Sequence, residues 1–248
     1  MKQVVLVTGG SRGIGAATAL LAATGGYAVA VNYVSQPAAA DAVVGRIRAA
    51  GGEALAVPGD VAREDDVLRL FETVDAKLGR LTALVNNAGV VDVSARLEDM
   101  SFARLKRMFD INVLGSMLCA REAVKRMSTR HGGAGGAIVN VSSAAPRLGS
   151  PGQYLDYAAA KGAVDAFTIG LAKEVAGEGI RVNAVRPGLI ATDIHASGGL
   201  PDRVRDLAHL VPMGRGGTAQ EVAQAIVWLL SPAASYTTMS LLDVSGGR

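Results

Sequence analysis

The sequence predicts an α/β fold, an open and doubly wound parallel sheet of about seven strands with helices on both faces. Three observations carry that expectation. Short β-branched runs alternate with longer segments of helical period, the pattern of a parallel sheet covered on both sides. The chain has 248 residues, 50% of them apolar and 19% charged, which is enough to bury one large core and excludes bulk disorder. A glycine cluster, Gly9 to Gly15, directly follows the first apolar run, which favours an open sheet over an eight-stranded α/β barrel of similar length.

The elements follow in order. Val4-Val5-Leu6-Val7 marks a strand near 3–8, and the Ala-rich stretch Ala16 to Thr24 a helix near 13–24. Strands near 27–33, 53–58 and 82–86 are separated by helices near 38–50 and 63–78. A long helical segment near 101–128 leads to Ala137-Ile138-Val139-Asn140-Val141, a strand near 136–141. A helix near 153–177, a strand near 180–185, a helix near 218–230 and a strand near 240–244 complete the chain. Thr218-Ala219-Gln220-Glu221 opens the last helix as a capping box, in which Thr218 and Glu221 satisfy otherwise unpaired amides. The Gly-rich stretches His131 to Gly136 and Ser197 to Gly199 read as loops. No Pro/Ser linker and no repeat divides residues 1–248, so one domain is expected. Residues 187–217 lack periodicity, and a segment of that length in a compact domain is usually mobile or functional.

Composition narrows the function classes. Aromatics at 4% leave little for base stacking, and a net charge of +3 is too small to decide a partner, so no nucleic acid is expected. Cys119 is the single cysteine and forms no internal disulfide, which fits a reducing compartment and a cytoplasmic protein. Met1-Lys2-Gln3 runs straight into Val4 to Val7, shorter than a signal-peptide core, and no apolar run approaches the roughly 20 residues of a membrane span. His131, His195 and His209 are scattered, so no metal site is expected, and the absence of a GxSxG elbow sets aside serine hydrolysis in its usual form.

Thr8-Gly9-Gly10-Ser11-Arg12-Gly13-Ile14-Gly15 joins the first strand to a helix N-terminus. Unpaired helix amides and the positive end of the helix dipole face an anion there, and missing side chains let a pyrophosphate approach. The acidic residue expected about 20 residues on, which would bind the ribose 2′-hydroxyl of NAD, is absent. The second strand ends Val31-Asn32-Tyr33-Val34-Ser35 instead. Arg12 can grip a 2′-phosphate bidentately, with Asn32 and Ser35 as further donors, so NADP(H) is favoured and NAD(H) stays open.

Tyr157-Ala158-Ala159-Ala160-Lys161 sets a phenol and an ammonium one helical turn apart. A nearby cation is expected to lower the phenol toward neutrality, which suits proton exchange with an alcohol or carbonyl. Ser142-Ser143 ends the strand 14 residues upstream of Tyr157, and Asn86-Asn87-Ala88-Gly89 closes the fourth strand in the same way. In an open parallel sheet ligands bind at the carboxyl ends of the strands, so these groups converge on one crevice.

With the glycine turn, the NNAG run, Ser143, the YxxxK pair and Asn112 in the long helical segment near 101–128, the whole chain resembles the short-chain dehydrogenase/reductase family. The resemblance implies a Rossmann-type fold and hydride transfer on CH–OH groups (EC 1.1.1.-), as in an NADP-preferring 3-oxoacyl-reductase or glucose-dehydrogenase-like member. It implies Tyr157 as acid/base, Lys161 as the residue that lowers its pKa and binds the nicotinamide ribose, Ser143 as the donor to the substrate oxygen, and Asn112 as the holder of a relay water. Ser142 is the rival for the serine role. Cofactor contacts are expected from Gly9, Ser11, Arg12, Gly13, Ile14 and Gly15, from Asn32, Tyr33 and Ser35, from Asp60 and Val61 at the adenine, from Asn86, Ala88 and Gly89, from Tyr157 and Lys161, and from Pro187, Gly188, Ile190 and Thr192 at the carboxamide. Asn86 is open between cofactor contact and a tie between neighbouring strands. The resemblance also implies a homotetramer and a small alcohol or carbonyl substrate, selected by residues 187–217 with Ala144 to Tyr154. Met239 departs from the pattern, since glycine is common there. A protein that senses NADP(H) without turnover is the rival reading.

Overall fold

The computed structural model describes residues 2–248; Met1 and the side chains of His195 and Ala196 lie outside what is described. Seven parallel strands form one sheet: β1 (Val4–Val7), β2 (Ala28–Tyr33), β3 (Ala54–Pro58), β4 (Ala83–Asn86), β5 (Gly136–Val141), β6 (Ile180–Pro187) and, after two short strands given below, β9 (Leu241–Val244), in the order β3-β2-β1-β4-β5-β6-β9.

Side-chain alternation along the strands explains the two covered faces. Val5, Val7, Val29 and Val31 point to one side, where α1 (Gly13–Thr24), α2 (Pro37–Ala49) and α10 (Ala219–Leu230) close a core around Ala19, Val44 and Ile226. Val4, Leu6, Ala28 and Ala30 point to the other, against α3 (Glu64–Lys77), α5 (Gly115–Met127) and α7 (Leu155–Val175) around Phe71, Cys119 and Val175. A strand buried on both sides has no polar face, which is why these runs read as continuous apolar segments. β1 pairs with β2 on one side and β4 on the other, so the winding reverses beside β1 and opens a crevice at the carboxyl ends of the strands.

Three regions differ from the sequence expectation. The helix expected over 101–128 is divided into α4 (Phe102–Phe109) and α5 by a π turn at Asp110–Leu114. Ser101 caps α4 by accepting from the Arg104 amide. Residues 187–217 are not structureless: they hold β7 (Ile190–Ala191), α8 (Ile194–Ser197), α9 (Arg203–Leu207) and β8 (Gly217–Thr218), with β7 and β8 paired in parallel. These pieces are too short to show a period. The four-residue α6 (Ala145–Leu148), with Pro146 near its start, also escapes the sequence pattern. The capping box at Thr218 and Glu221 is present with both hydrogen bonds. Met239 occupies the left-handed region at φ 65°, where its amide donates to Val182 O at 2.7 Å.

Candidate active site

The crevice beside β1 deepens into a cleft of about 570 Å³. Its floor begins with the loop between β1 and α1, where Gly9 and Gly13 take φ of 60° and 53°. At Gly15 a Cβ would lie 2.4 Å from Gly9 O, so only glycine lets the first turn of α1 press onto the loop. Gly9, Ser11, Arg12, Gly13 and Ile14 line the cleft, whereas Gly15 packs beneath it. The loop is braced from the β4 end: Asn87 Nδ2 donates to Thr8 O (2.9 Å) and Gly9 O (3.0 Å), and Thr8 Oγ1 accepts from the Asn87 and Ala88 amides at 3.0 Å. Asn87 belongs to the Asn86–Gly89 run expected along the cofactor and lines the cleft; bracing the glycine loop is a further task that the sequence did not reveal.

Besides Gly15, two predicted cofactor contacts turn away from the cleft. Asn32 is buried and its amide is already committed, with Oδ1 accepting from the Gly9 amide at 3.2 Å and Nδ2 donating to Val57 O (3.3 Å) and Gly59 O (2.9 Å). It fastens β2 to β3 and to the glycine loop and has no donor left for a phosphate. Asn86 is also buried, donating to Asn140 Oδ1 (2.9 Å) and Ser116 O (3.0 Å), and Asn140 passes the chain on to Thr168 Oγ1 (2.9 Å). Of the two readings left open for Asn86, the geometry gives the tie between strands.

The other contacts expected at the nucleotide end do line the cleft. Tyr33 and Ser35 flank one wall beside Arg12, which is exposed and has no carboxylate partner among the described residues. Asp60 lies in a turn closed by its own carboxylate, which accepts from the Ala62 amide at 3.0 Å, and Val61 follows it. Ala88, Gly89, Pro187, Gly188, Ile190 and Thr192 complete the inner wall.

Helix α7 brings Tyr157 and Lys161 to the inner end on one face, with Ser143 opposite, and all three border the cleft. Burial pushes the Tyr157 phenol up to about 12, opposed by a hydrogen bond with the Ser143 side chain. In this cleft the direction is set by desolvation of the phenolate, with Ser143 acting against it, whereas the sequence expectation is a lowering by Lys161. Lys161 is itself buried, donates to Val141 O at 2.7 Å and lies 5.6 Å from the Tyr157 ring centroid. Burial lowers its ammonium to about 8, and the Asp165 carboxylate opposes that shift.

Ser142 is spent, donating to Lys161 O at 3.2 Å, whereas Ser143 Oγ accepts from the Ala145 amide at 3.0 Å and meets the phenol. Asn112 lies within the π turn, fully buried and off the cleft lining. Its Oδ1 accepts from the Val90 amide at 3.2 Å while Nδ2 donates to Val90 O (3.1 Å) and Met108 O (3.0 Å). The side chain thus locks the loop at Val90 instead of facing a ligand. A Cβ on Gly89 would come within 2.7 Å of Asn112 Oδ1 and 3.5 Å of Lys161 Nζ, so the backbone passes between the two.

Charged pairs missed by sequence reasoning hold α7 in place. Arg104 meets the buried Asp156 with two bonds (2.8 and 3.2 Å), and Asp156 Oδ1 accepts from the Tyr157 amide at 3.0 Å. Deeper in α7, Asp165 faces Arg186 at 3.8 Å, and Arg186 holds Asp243 with two bonds (2.8 and 3.1 Å). Burial raises the Asp165 carboxyl, against Ser142, Arg186 and Lys161. Partners 52 residues apart in sequence, as Arg104 and Asp156 are, leave no local pattern to find.

Among the described residues no group of three or more His, Cys, Asp or Glu could hold a metal ion. Cys119 is buried and its thiol is pushed up to about 12, far from a reactive thiolate. No described helix is long and apolar enough to cross a membrane.

Comparison with known proteins finds relatives over nearly the whole chain. A family model described as enoyl-(acyl carrier protein) reductase matches residues 9–248. A protein named uncharacterized oxidoreductase YgfF, of Escherichia coli, is 56% identical over 99% of both chains. A 3-oxoacyl-[acyl-carrier-protein] reductase of Synechocystis is 43% identical over 99% of this chain and 96% of its own. Among solved structures, a short-chain type dehydrogenase/reductase from Mycobacterium marinum superposes with a TM-score of 0.92 at 34% identity, covering 99% of this chain and 94% of that one.

Proposed function

Since the chain belongs to the short-chain dehydrogenase/reductase family, we propose that it is an NADP(H)-dependent oxidoreductase acting on an alcohol or carbonyl of a small molecule. The observation that carries the reading is the meeting of Ser143, Tyr157 and Lys161 in the cleft that the glycine loop opens into. The backbone there fits a dinucleotide: Gly9 and Gly13 take conformations closed to most side chains, and α1 aims its free amides at the space they leave.

When bound, NADP(H) supplies or accepts the hydride. Tyr157 exchanges a proton with the substrate oxygen, Ser143 donates to that oxygen and fixes its position, and Lys161 supplies a positive charge next to the phenol. Asn112 acts through the loop at Val90, which it holds beside Lys161. The 2′-phosphate falls to Arg12 and Ser35, and the segment Tyr33, Val34, Ser35 and Gln36 carries no acidic side chain to repel it. A homotetramer is part of the proposal, as is a cytoplasmic setting, which the lone buried Cys119 supports.

The test is NADPH consumption by purified protein with a panel of ketones, aldehydes and 3-oxoacyl thioesters, with Tyr157→Phe beside the wild type. The variant is expected to lose at least about 100-fold in kcat, the scale of a lost general acid, with NADPH affinity unchanged. Turnover retained by Tyr157→Phe refutes its role, and no consumption with any substrate supports the sensor reading.

A further inference from the structure

The substrate end of the cleft holds a guanidinium that no carboxylate among the described residues neutralises. Arg203, at the start of α9, borders the cleft together with Tyr154, Leu148 and Ile194. Its guanidinium stacks 5.1 Å from the Tyr154 ring centroid, and Nη2 donates to Gln153 Oε1 at 2.8 Å. Both supports are neutral, and no carboxylate pairs with Arg203 among the described residues. By contrast Arg107, on the same lining, has Asp92 at 3.7 Å.

The supports are themselves fixed. Tyr154 is buried and its hydroxyl donates to Gly198 O at 3.4 Å, while Gln153 O accepts from the Ala95 amide at 3.1 Å. A planar fork held by stacking and one amide, with its remaining donors uncommitted, is pre-organised for a carboxylate or phosphate. A surface arginine serving only solubility needs neither the stack nor a place in the cleft.

We infer that Arg203 receives an oxyanionic group of the substrate, so that the molecule turned over carries a carboxylate or a phosphate apart from its reacting carbon. The inference rests on the redox reading of the same cleft. A free oxo acid would supply a carboxylate, and a carrier-type thioester arm a phosphate; the shared chemistry is the oxyanion, and the arms of the test separate the sources.

Wild type, Arg203→Met and Arg203→Lys are assayed with NADPH on matched pairs: oxo acids against their methyl esters, and 3-oxoacyl thioesters with and without a phosphate on the thiol arm. Arg203→Met is expected to raise KM for the charged member about 10- to 100-fold, the scale of a lost charge-assisted hydrogen bond. The neutral member should stay within about twofold and Arg203→Lys should recover part of the loss. The pair that responds identifies the source. Equal losses on charged and neutral members reduce Arg203 to a clasp on Tyr154 and overturn the inference. Calorimetry with cyclohexanecarboxylate and with phosphopantetheine, NADP present, reads the site without turnover. Binding that Arg203→Met abolishes, in a protein that turns over nothing, keeps the anion site and sinks the redox reading. Turnover with no charge preference does the reverse, and no Arg203-dependent binding of either anion also overturns the inference.

Discussion

At the nucleotide end of the cleft the walls are backbone braced by buried amides, whereas at the substrate end they are side chains from short segments held by single bonds. Asn32, Asn86 and Asn87 tie strand ends and the glycine loop with several hydrogen bonds each. Opposite them, α8 and α9 are fastened to the Ser150–Tyr154 wall through Tyr154 to Gly198 and Arg203 to Gln153. The difference teaches where specificity can change cheaply. A ligand read by backbone is fixed by the fold, and one read by lone side chains can be exchanged without disturbing it.

The sharpest way to break that comparison is a methyl group at each end. Gly15→Ala drives a Cβ toward Gly9 O and Asn87 Nδ2, with backbone on one side of the clash. It should cost roughly 3 kcal/mol, the upper part of the overpacking range, and NADPH binding should fall with it, read by thermal melts and nucleotide titration. Gly199→Ala meets only Val93 at 3.8 Å and carries the left-handed penalty of its φ of 79°, about 1 kcal/mol, with NADPH affinity unchanged. Comparable effects at both positions would erase the contrast.

Next in size is Arg12→Ala. NADPH should bind about tenfold or more weakly, as for a lost charge-assisted bond, with NADH affected less than about twofold; equal losses would show that Arg12 does not read the phosphate.

Asp165→Asn acts on the pH profile. Burial lowers Lys161 to about 8 and Asp165 opposes it. Without the carboxylate the ammonium is lost at lower pH, so the alkaline limb of kcat/KM should move to lower pH. A limb that stays in place or moves upward would show that Lys161 does not shape it.

The smallest effect is Met239→Gly. It relieves the left-handed φ of 65° and concedes unfolded-state entropy, for a net gain of about 0.5 to 1 kcal/mol in chemical denaturation. Turnover should be unchanged.

Much of this was legible in the residues, and the limits have physical causes. Runs such as Val4 to Val7 show themselves because a strand buried on both faces admits nothing polar. The glycine loop shows itself because positive φ and close approach exclude side chains. Polar residues at strand ends do not declare a direction: Asn32 and Asn86 turn inward, while Ser35 lines the cleft. The pair β7 and β8, two residues each, is below the length at which alternation can be seen. Arg104 with Asp156 and Arg203 with Gln153 join residues that only the finished fold brings together.

The π turn at Asp110–Leu114 has a consequence for phase. An α-helix advances about 100° per residue, so a turn one residue wider rotates everything after it relative to an unbroken rod. That offset lets Met108 face the small cluster with Val113 and Ala160 while Cys119, Ala120 and Ala123 face the sheet. Excising one residue here would spare the hydrogen bonding of α5 and turn its small, close-packing side chains away from β4 and β5. The widened turn is a gear setting between the end of α4 and the core, and its tooth count matters more than the identity of most of its residues.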